Sequence, residues 1–101
     1  MSETFRLTAA AETDIEDILT HSAETWGVAQ AIAYHGVLLN RMRWLVDNPS
    51  SGRPRPELSE ALRSYPEGRH MLYYRIEDQG IIIVRVKHQS SGLAGDWDTQ
   101  Q

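Results

Sequence analysis

Cysteine is missing from all 101 residues, which removes disulfides and thiolate metal sites and suits a reducing compartment. No apolar run approaches the roughly 20 residues a membrane-spanning helix needs. The opening "MSETFRLTAA" puts acidic and polar residues where a signal peptide needs a basic and then an apolar region. A cytoplasmic protein with no membrane partner is expected. Dense positive charge is also lacking: the net charge is −4, and a nucleic-acid binder normally carries a concentrated basic footprint. Direct sequence-specific binding of nucleic acid by this chain alone is therefore not expected.

What is present belongs to an ordinary globular chain. Hydrophobic residues make up 41% and charged residues 24%, enough apolar side chains for one core in one domain, residues 1–101. Charge is unevenly distributed. Met1 to Gln30 holds six acids (Glu3, Glu12, Asp14, Glu16, Asp17, Glu24) against Arg6, whereas Ala31 to Ser90 holds nine bases against six acids. Such segregation fits a protein that meets a charged partner on one face.

Periodicity divides the chain in two. "FRLT" (Phe5 to Thr8) alternates as a short edge strand. Thr8 then stands where a helix N-cap belongs, and the acids of the next turns favour the positive end of the helix dipole. Ile15, Ile18, Leu19, Ser22 and Trp26 recur at helical spacing, and Gly27 follows as a stop. A second stripe runs through Ala29, Ile32, Gly36, Leu39, Met42 and Val46, with Leu38 and Leu45 beside it; Gly36 suggests a close helix crossing. Pro49 ends this helix, and "NPSSGRPRPE" is a loop by composition. Two helices with almost no linker predict an antiparallel hairpin.

Beyond Pro56 the texture becomes β-branched and aromatic: "ALRSYP", "RHMLYYRIE" and "GIIIVRVKH" predict three antiparallel strands. "DQG" predicts a three-residue hairpin loop, pairing Tyr74 with Val84, Leu72 with Val86 and His70 with His88. That register sends His70, Leu72, Tyr74, Ile76, Ile82, Val84, Val86 and His88 to the helices. It leaves Met71, Tyr73, Arg75, Ile81, Ile83, Arg85 and Lys87 on the opposite face as a cationic and aromatic surface. The isoleucines on that surface favour partial cover by a partner. "SSGLAGDWDTQQ", from about residue 90 to 101, reads as a loose acidic tail, with Trp97 a weak candidate for partner contact. The whole predicts an α+β domain, an N-terminal strand and a helical hairpin packed on a small antiparallel sheet.

Catalytic patterns are sparse. His70 and His88 face one another, but two ligands do not make a metal site and no acid is spaced to complete one. "SGRPRPE" lacks the lysine and following helix of a phosphate-binding loop. No metal or cofactor is expected.

The order and spacing of "LTAAAETDIEDI", Trp26-Gly27, Asn48-Pro49 with Gly52-Arg53, Leu62-Arg63 and "YYRIEDQGIIIVRVKHQ" resemble ParE-type toxins of the ParE/RelE toxin–antitoxin superfamily, from about Phe5 to Gln89. The resemblance implies a toxin neutralised by a ParD-like antitoxin, which carries a ribbon-helix-helix DNA-binding part and a segment that wraps the toxin. Two activities occur in the superfamily. RelE-like members are ribosome-dependent mRNA ribonucleases, and their mechanism needs a base, a cation at the phosphate and an acid. Here Met71 stands where the strand motif "MLYY" would carry the catalytic arginine, and Gln89, Ser90 and Ser91 follow His88 in place of basic and aromatic residues. ParE-like members bind DNA gyrase and hold it in a DNA-cleaved state with no catalytic group of their own. The expectation is a non-catalytic gyrase inhibitor, with Arg63, Tyr73, Arg75, Arg85, Lys87 and His88 the candidates for contact with target or antitoxin. The ribonuclease, or a degenerate toxin that only binds its antitoxin, is the alternative.

Overall fold

A computed structural model describes residues 4–90. The order is β1 (Phe5–Leu7), α1 (Ala9–Trp26), α2 (Val28–Asp47), a 3-10 turn (Pro49–Ser51), β2 (Arg53–Pro54), β3 (Arg63–Glu67), β4 (His70–Glu77) and β5 (Gly80–His88). The acidic tail and Trp97 lie outside the described residues.

Local chemistry accounts for the helix boundaries. The Thr8 hydroxyl accepts from the Ala11 N–H at 3.0 Å, satisfying one of the donors a helix start leaves unpaired. Gly27 turns the chain at φ 100°, a conformation costly for any residue with a Cβ. Its N–H still reaches the Ala23 carbonyl and its own carbonyl starts α2, so one residue serves two helices. Pro49 ends α2 as expected and opens the 3-10 turn.

The sheet order is β1-β5-β4-β3-β2. The α+β class is as expected, with one parallel pair because β1 runs alongside β5. The helical hairpin covers one face, burying Ala11, Ile15, Leu38, Met42 and Leu45 against Leu72, Tyr74, Ile81, Ile83 and Val86. Gly36 makes no close crossing, since a Cβ there would meet nothing within 4 Å. Ile32, expected in the α2 stripe, is 66% exposed, and Trp26 is 48% exposed.

The β4–β5 register agrees with expectation only in its open half. His70 pairs with His88, Leu72 with Val86 and Tyr73 with Arg85. Past a bulge at Val84, Tyr74 pairs with Ile83, Ile76 with Ile81 and Glu77 with Gly80. The turn therefore has two residues, Asp78 and Gln79, and the extra residue sits inside the strand. Burial selects this arrangement. It brings Ile81 and Ile83 to the helix side at 1% and 0% exposure, and each such side chain contributes about 1.5–3 kcal/mol when fully buried. Val84 and Ile82 turn instead to the opposite face.

That opposite face is partly roofed. Leu58 and Leu62, from the segment between β2 and β3, pack on Tyr73, Val84, Met71 and Ile82 as a second small core. Among the described residues no helix is long and apolar enough to cross a membrane.

Candidate functional site

The six candidate side chains do not share one surface. Tyr73 lies beneath the roof at 1% exposure, with the Arg55 guanidinium 5.9 Å from its ring centre, and burial raises its phenol pKa. Arg63 donates to the carbonyls of Gly52 at 2.8 Å and Ser50 at 3.3 Å. It fixes the loop after α2, on the side of β3 that meets the helices.

Arg85 was expected on the outer cationic surface; it is an internal strut. Its Nε and Nη2 donate to the Asp14 carboxylate at 2.8 and 2.9 Å, and the same carboxylate accepts from the Val86 N–H at 2.9 Å. The two side chains are only 10% and 11% exposed. The reason is topological. β1 stops at Leu7, so the edge of β5 beyond Ile83 needs other partners. Thr8 supplies a backbone N–H to the Ile83 carbonyl and a hydroxyl to the Val84 carbonyl, and Asp14, nearly two helical turns on, takes the Val86 N–H. An acid expected to serve the helix dipole thus closes a sheet edge.

Arg75 remains half-buried on the outer face, opposite Ile82, and its charge helps hold the Glu77 carboxyl low, after the larger effect of the hydrogen bond from Arg6. Lys87 and His88 are brought together elsewhere, at the mouth of a groove of about 580 Å³ between the hairpin and the open end of the sheet. One wall comes from α1 and α2 (Asp17, Ile18, His21, Trp26, Gln30, Tyr34). The other comes from the β3–β4 turn and the end of β5 (Gly68, Arg69, His70, Val86, Lys87, His88). The expected outer patch of Tyr73, Arg75, Arg85 and Lys87 is thereby broken up by the roof, the bulge and the Asp14 pair.

The groove has a built floor. The Tyr34 hydroxyl accepts from the Arg69 backbone N–H at 3.2 Å and lies 2.7 Å from His70 Nδ1. The His70 and His88 rings meet edge-on at 5.3 Å. Burial, then the charges of His88 and Arg69, push the His70 pKa down to about 4, so this imidazole is neutral at pH 7; the one Tyr34 hydroxyl hydrogen serves either its Nδ1 or the Glu67 carbonyl, 3.2 Å away. The Arg69 guanidinium lies 4.1 Å above the ring of the half-exposed Trp26, a cation–π contact. His88 is exposed, and its Nδ1 accepts from the Ser90 N–H at 3.2 Å. No group of three or more potential metal ligands occurs among the described residues.

Arg69 and Tyr34 were not singled out from the sequence. Arg69 sits in a turn, where no periodic pattern marks a cation as belonging to a surface. Tyr34 falls beside, not on, the expected α2 stripe.

Residues 5–92 match the family model described as the ParE toxin of the type II toxin–antitoxin system parDE. Toxin ParE1 of Caulobacter vibrioides is 35% identical over 86 residues, covering 85% of this chain and 88% of that protein. Toxin ParE1 of Mycobacterium tuberculosis is 36% identical over 90 residues, covering 88% and 92%. Among solved structures, a chain of the chromosomal ParDE toxin–antitoxin system from P. aeruginosa superposes with a TM-score of 0.72 at 20% identity, over 86% of this chain and 96% of that one. A chain of the RelBE2 toxin–antitoxin complex from M. tuberculosis gives 0.53 at 27% identity, over 88% and 100%.

Proposed function

This chain belongs to the ParE toxin family of type II toxin–antitoxin systems, and from that premise we propose that it inhibits DNA gyrase by binding in the cytoplasm and is neutralised by a ParD-like antitoxin with a ribbon-helix-helix part. The observation that carries the choice of binding over catalysis is what the central hairpin does with its cations. A nuclease must hold a phosphate with a cation and supply a base and an acid. Met71 packs as a thioether against the roof cluster, and Arg85 is committed to Asp14. Inhibition by binding asks only for shape and charge on the surface, which Arg75, Lys87, His88 and the groove supply.

The test is purified toxin with gyrase and supercoiled plasmid. Loss of supercoiling activity, with linear DNA trapped after denaturation, is expected. Unaffected gyrase at excess toxin, together with codon-associated mRNA cuts in a translation reaction, would replace this reading with the ribonuclease.

A further inference from the structure

Of the six large hydrophobic side chains left exposed among the described residues, four belong to α2 (Val28, Ile32, Val37, Trp44), and Trp26 closes α1 just before it. From Thr25 to Asn40 the sequence holds no Asp, Glu, Lys or Arg, so no charge interrupts the solvent side of α2 over about three turns. A monomeric domain seldom leaves such a surface bare. We propose that a second copy of this chain covers it, the two α2 helices crossing antiparallel about a two-fold axis near Ala33 and Gly36.

The shape of the surface suits a helix. Gly36 suggests a close crossing that the chain's own helices do not supply, since a Cβ there would meet nothing within 4 Å. Ala29 and Ala33 precede it on the same exposed side, and Val28 and Ile32, each 66% exposed, stand beside this low strip. Small residues at the contact let helix axes approach closely. Between Val28 and Ile32 of α2 and Leu19 and Ala23 of α1 the surface dips into an apolar crevice of about 300 Å³. Relief of this kind, low along one line and raised along the next, can fit a copy of itself.

Charge complementarity selects the second copy and its direction. The uncharged surface is bounded by an exposed acid at one end, Glu24 in the last turn of α1, and by an exposed base at the other, Arg43 of α2. Neither forms an ion pair among the described residues, and Arg43 donates to the Asn40 side-chain oxygen at 3.2 Å. Arg43 lies about 13 Å along the helix from the proposed crossing, and the hairpin turn at Gly27 about 11 Å in the other direction. An antiparallel two-fold therefore sets Arg43 of each copy against the other's Glu24, whereas a parallel one would oppose like charges. A partner surface of a single sign would satisfy one end and be repelled at the other.

Sedimentation equilibrium of the full chain without antitoxin is the test. The average mass should climb from 11.5 kDa towards twice that as concentration rises. Gly36→Arg is expected to raise the dimer dissociation constant at least tenfold. The position is open and arginine is a better helix former than glycine, so the loss is not one of folding, which a thermal melt checks. Arg43→Glu and Glu24→Arg should each weaken association about threefold, and the two together should restore it to within about twofold of wild type. A chain that stays monomeric at every concentration overturns the proposal; if Gly36→Arg then weakens binding of the ribbon-helix-helix protein, the face belongs to that partner instead. Dimers indifferent to Gly36→Arg place the contact elsewhere and overturn it too. A double charge reversal no better than either single change overturns the antiparallel arrangement.

Discussion

Replacing Arg85 by alanine should unfold this protein more readily before it changes any binding surface. The substitution removes both guanidinium bonds to Asp14 and leaves a carboxylate 11% exposed with only the Val86 N–H as partner. Breaking a buried pair from one side costs about 3–5 kcal/mol, a large share of the roughly 5–15 kcal/mol that holds a domain together. For a domain near 100 residues each kcal/mol moves Tm by about 4–8 °C, so a fall of more than about 12 °C is expected by circular dichroism or differential scanning fluorimetry. Arg85→Lys should fall between, since one ammonium cannot reproduce the two-pronged geometry. In Asp14→Asn/Arg85→Met the second substitution should cost less than it does alone, with a coupling of about 0.5–3 kcal/mol in the double-mutant cycle. A Tm for Arg85→Ala within about 3 °C of wild type would refute the reasoning and return Arg85 to the list of contact residues. Otherwise, lost toxicity in this variant reports on folding.

Two further outcomes follow from the groove floor and the loop after α2. His70 favours its neutral form when folded, its pKa falling from 6.5 to about 4, so between those values the unfolded chain binds more protons. Its contribution is complete above pH 6.5 and is lost as pH falls towards 4, by up to about 3 kcal/mol. Denaturant melts from pH 7.5 to 4.5 should show that loss, and His70→Gln should flatten the profile relative to wild type; identical slopes would refute it. The buried Tyr74 hydroxyl donates to the Pro49 carbonyl at 2.6 Å and accepts from the Gly52 N–H at 2.8 Å. Tyr74→Phe strands both groups and should cost about 2–4 kcal/mol. Gly52→Ala should be at least as damaging, because the added Cβ would overlap that hydroxyl; a chemical melt showing either variant within 0.5 kcal/mol of wild type would contradict this.

Legibility from sequence followed the range of the interaction. Thr8, Gly27 and Pro49 act within a few residues, and each sits where its chemistry predicted. The hairpin register failed from Tyr74 to the turn because Ile81 to Val84 are four consecutive β-branched residues, with no polar–apolar alternation to mark a face. A glycine at position 80 suits a two-residue turn as well as a three-residue one, so the loop could not correct the strand. Asp14 and Arg85 are joined across 71 residues of chain, and no local pattern distinguishes an acid that serves its helix from one that reaches a distant strand. The groove escaped for the same reason: its walls come from both helices, a turn and the end of β5. Lys87 and His88 were identified as candidates, but their neighbours there were not.

The bulge at Val84 makes β5 a strand of two phases, and this bears on how such a chain can vary in length. Deleting one residue between Ile81 and Val84 would restore a single phase. Removing Val84 itself would leave Ile81, Ile83, Val86 and His88 on their present faces, whereas pairing every residue without the bulge would send Ile81 and Ile83 to the surface. An insertion in the Asp78–Gln79 turn would leave both phases intact. The strand thus has one place, Val84, where a residue can be lost without moving its neighbours between faces, and another, the turn, where residues can be gained. Homologous chains aligned without a gap at Val84 could still differ in which isoleucines are internal, so residue correspondence along β5 should be judged by phase as well as by letter.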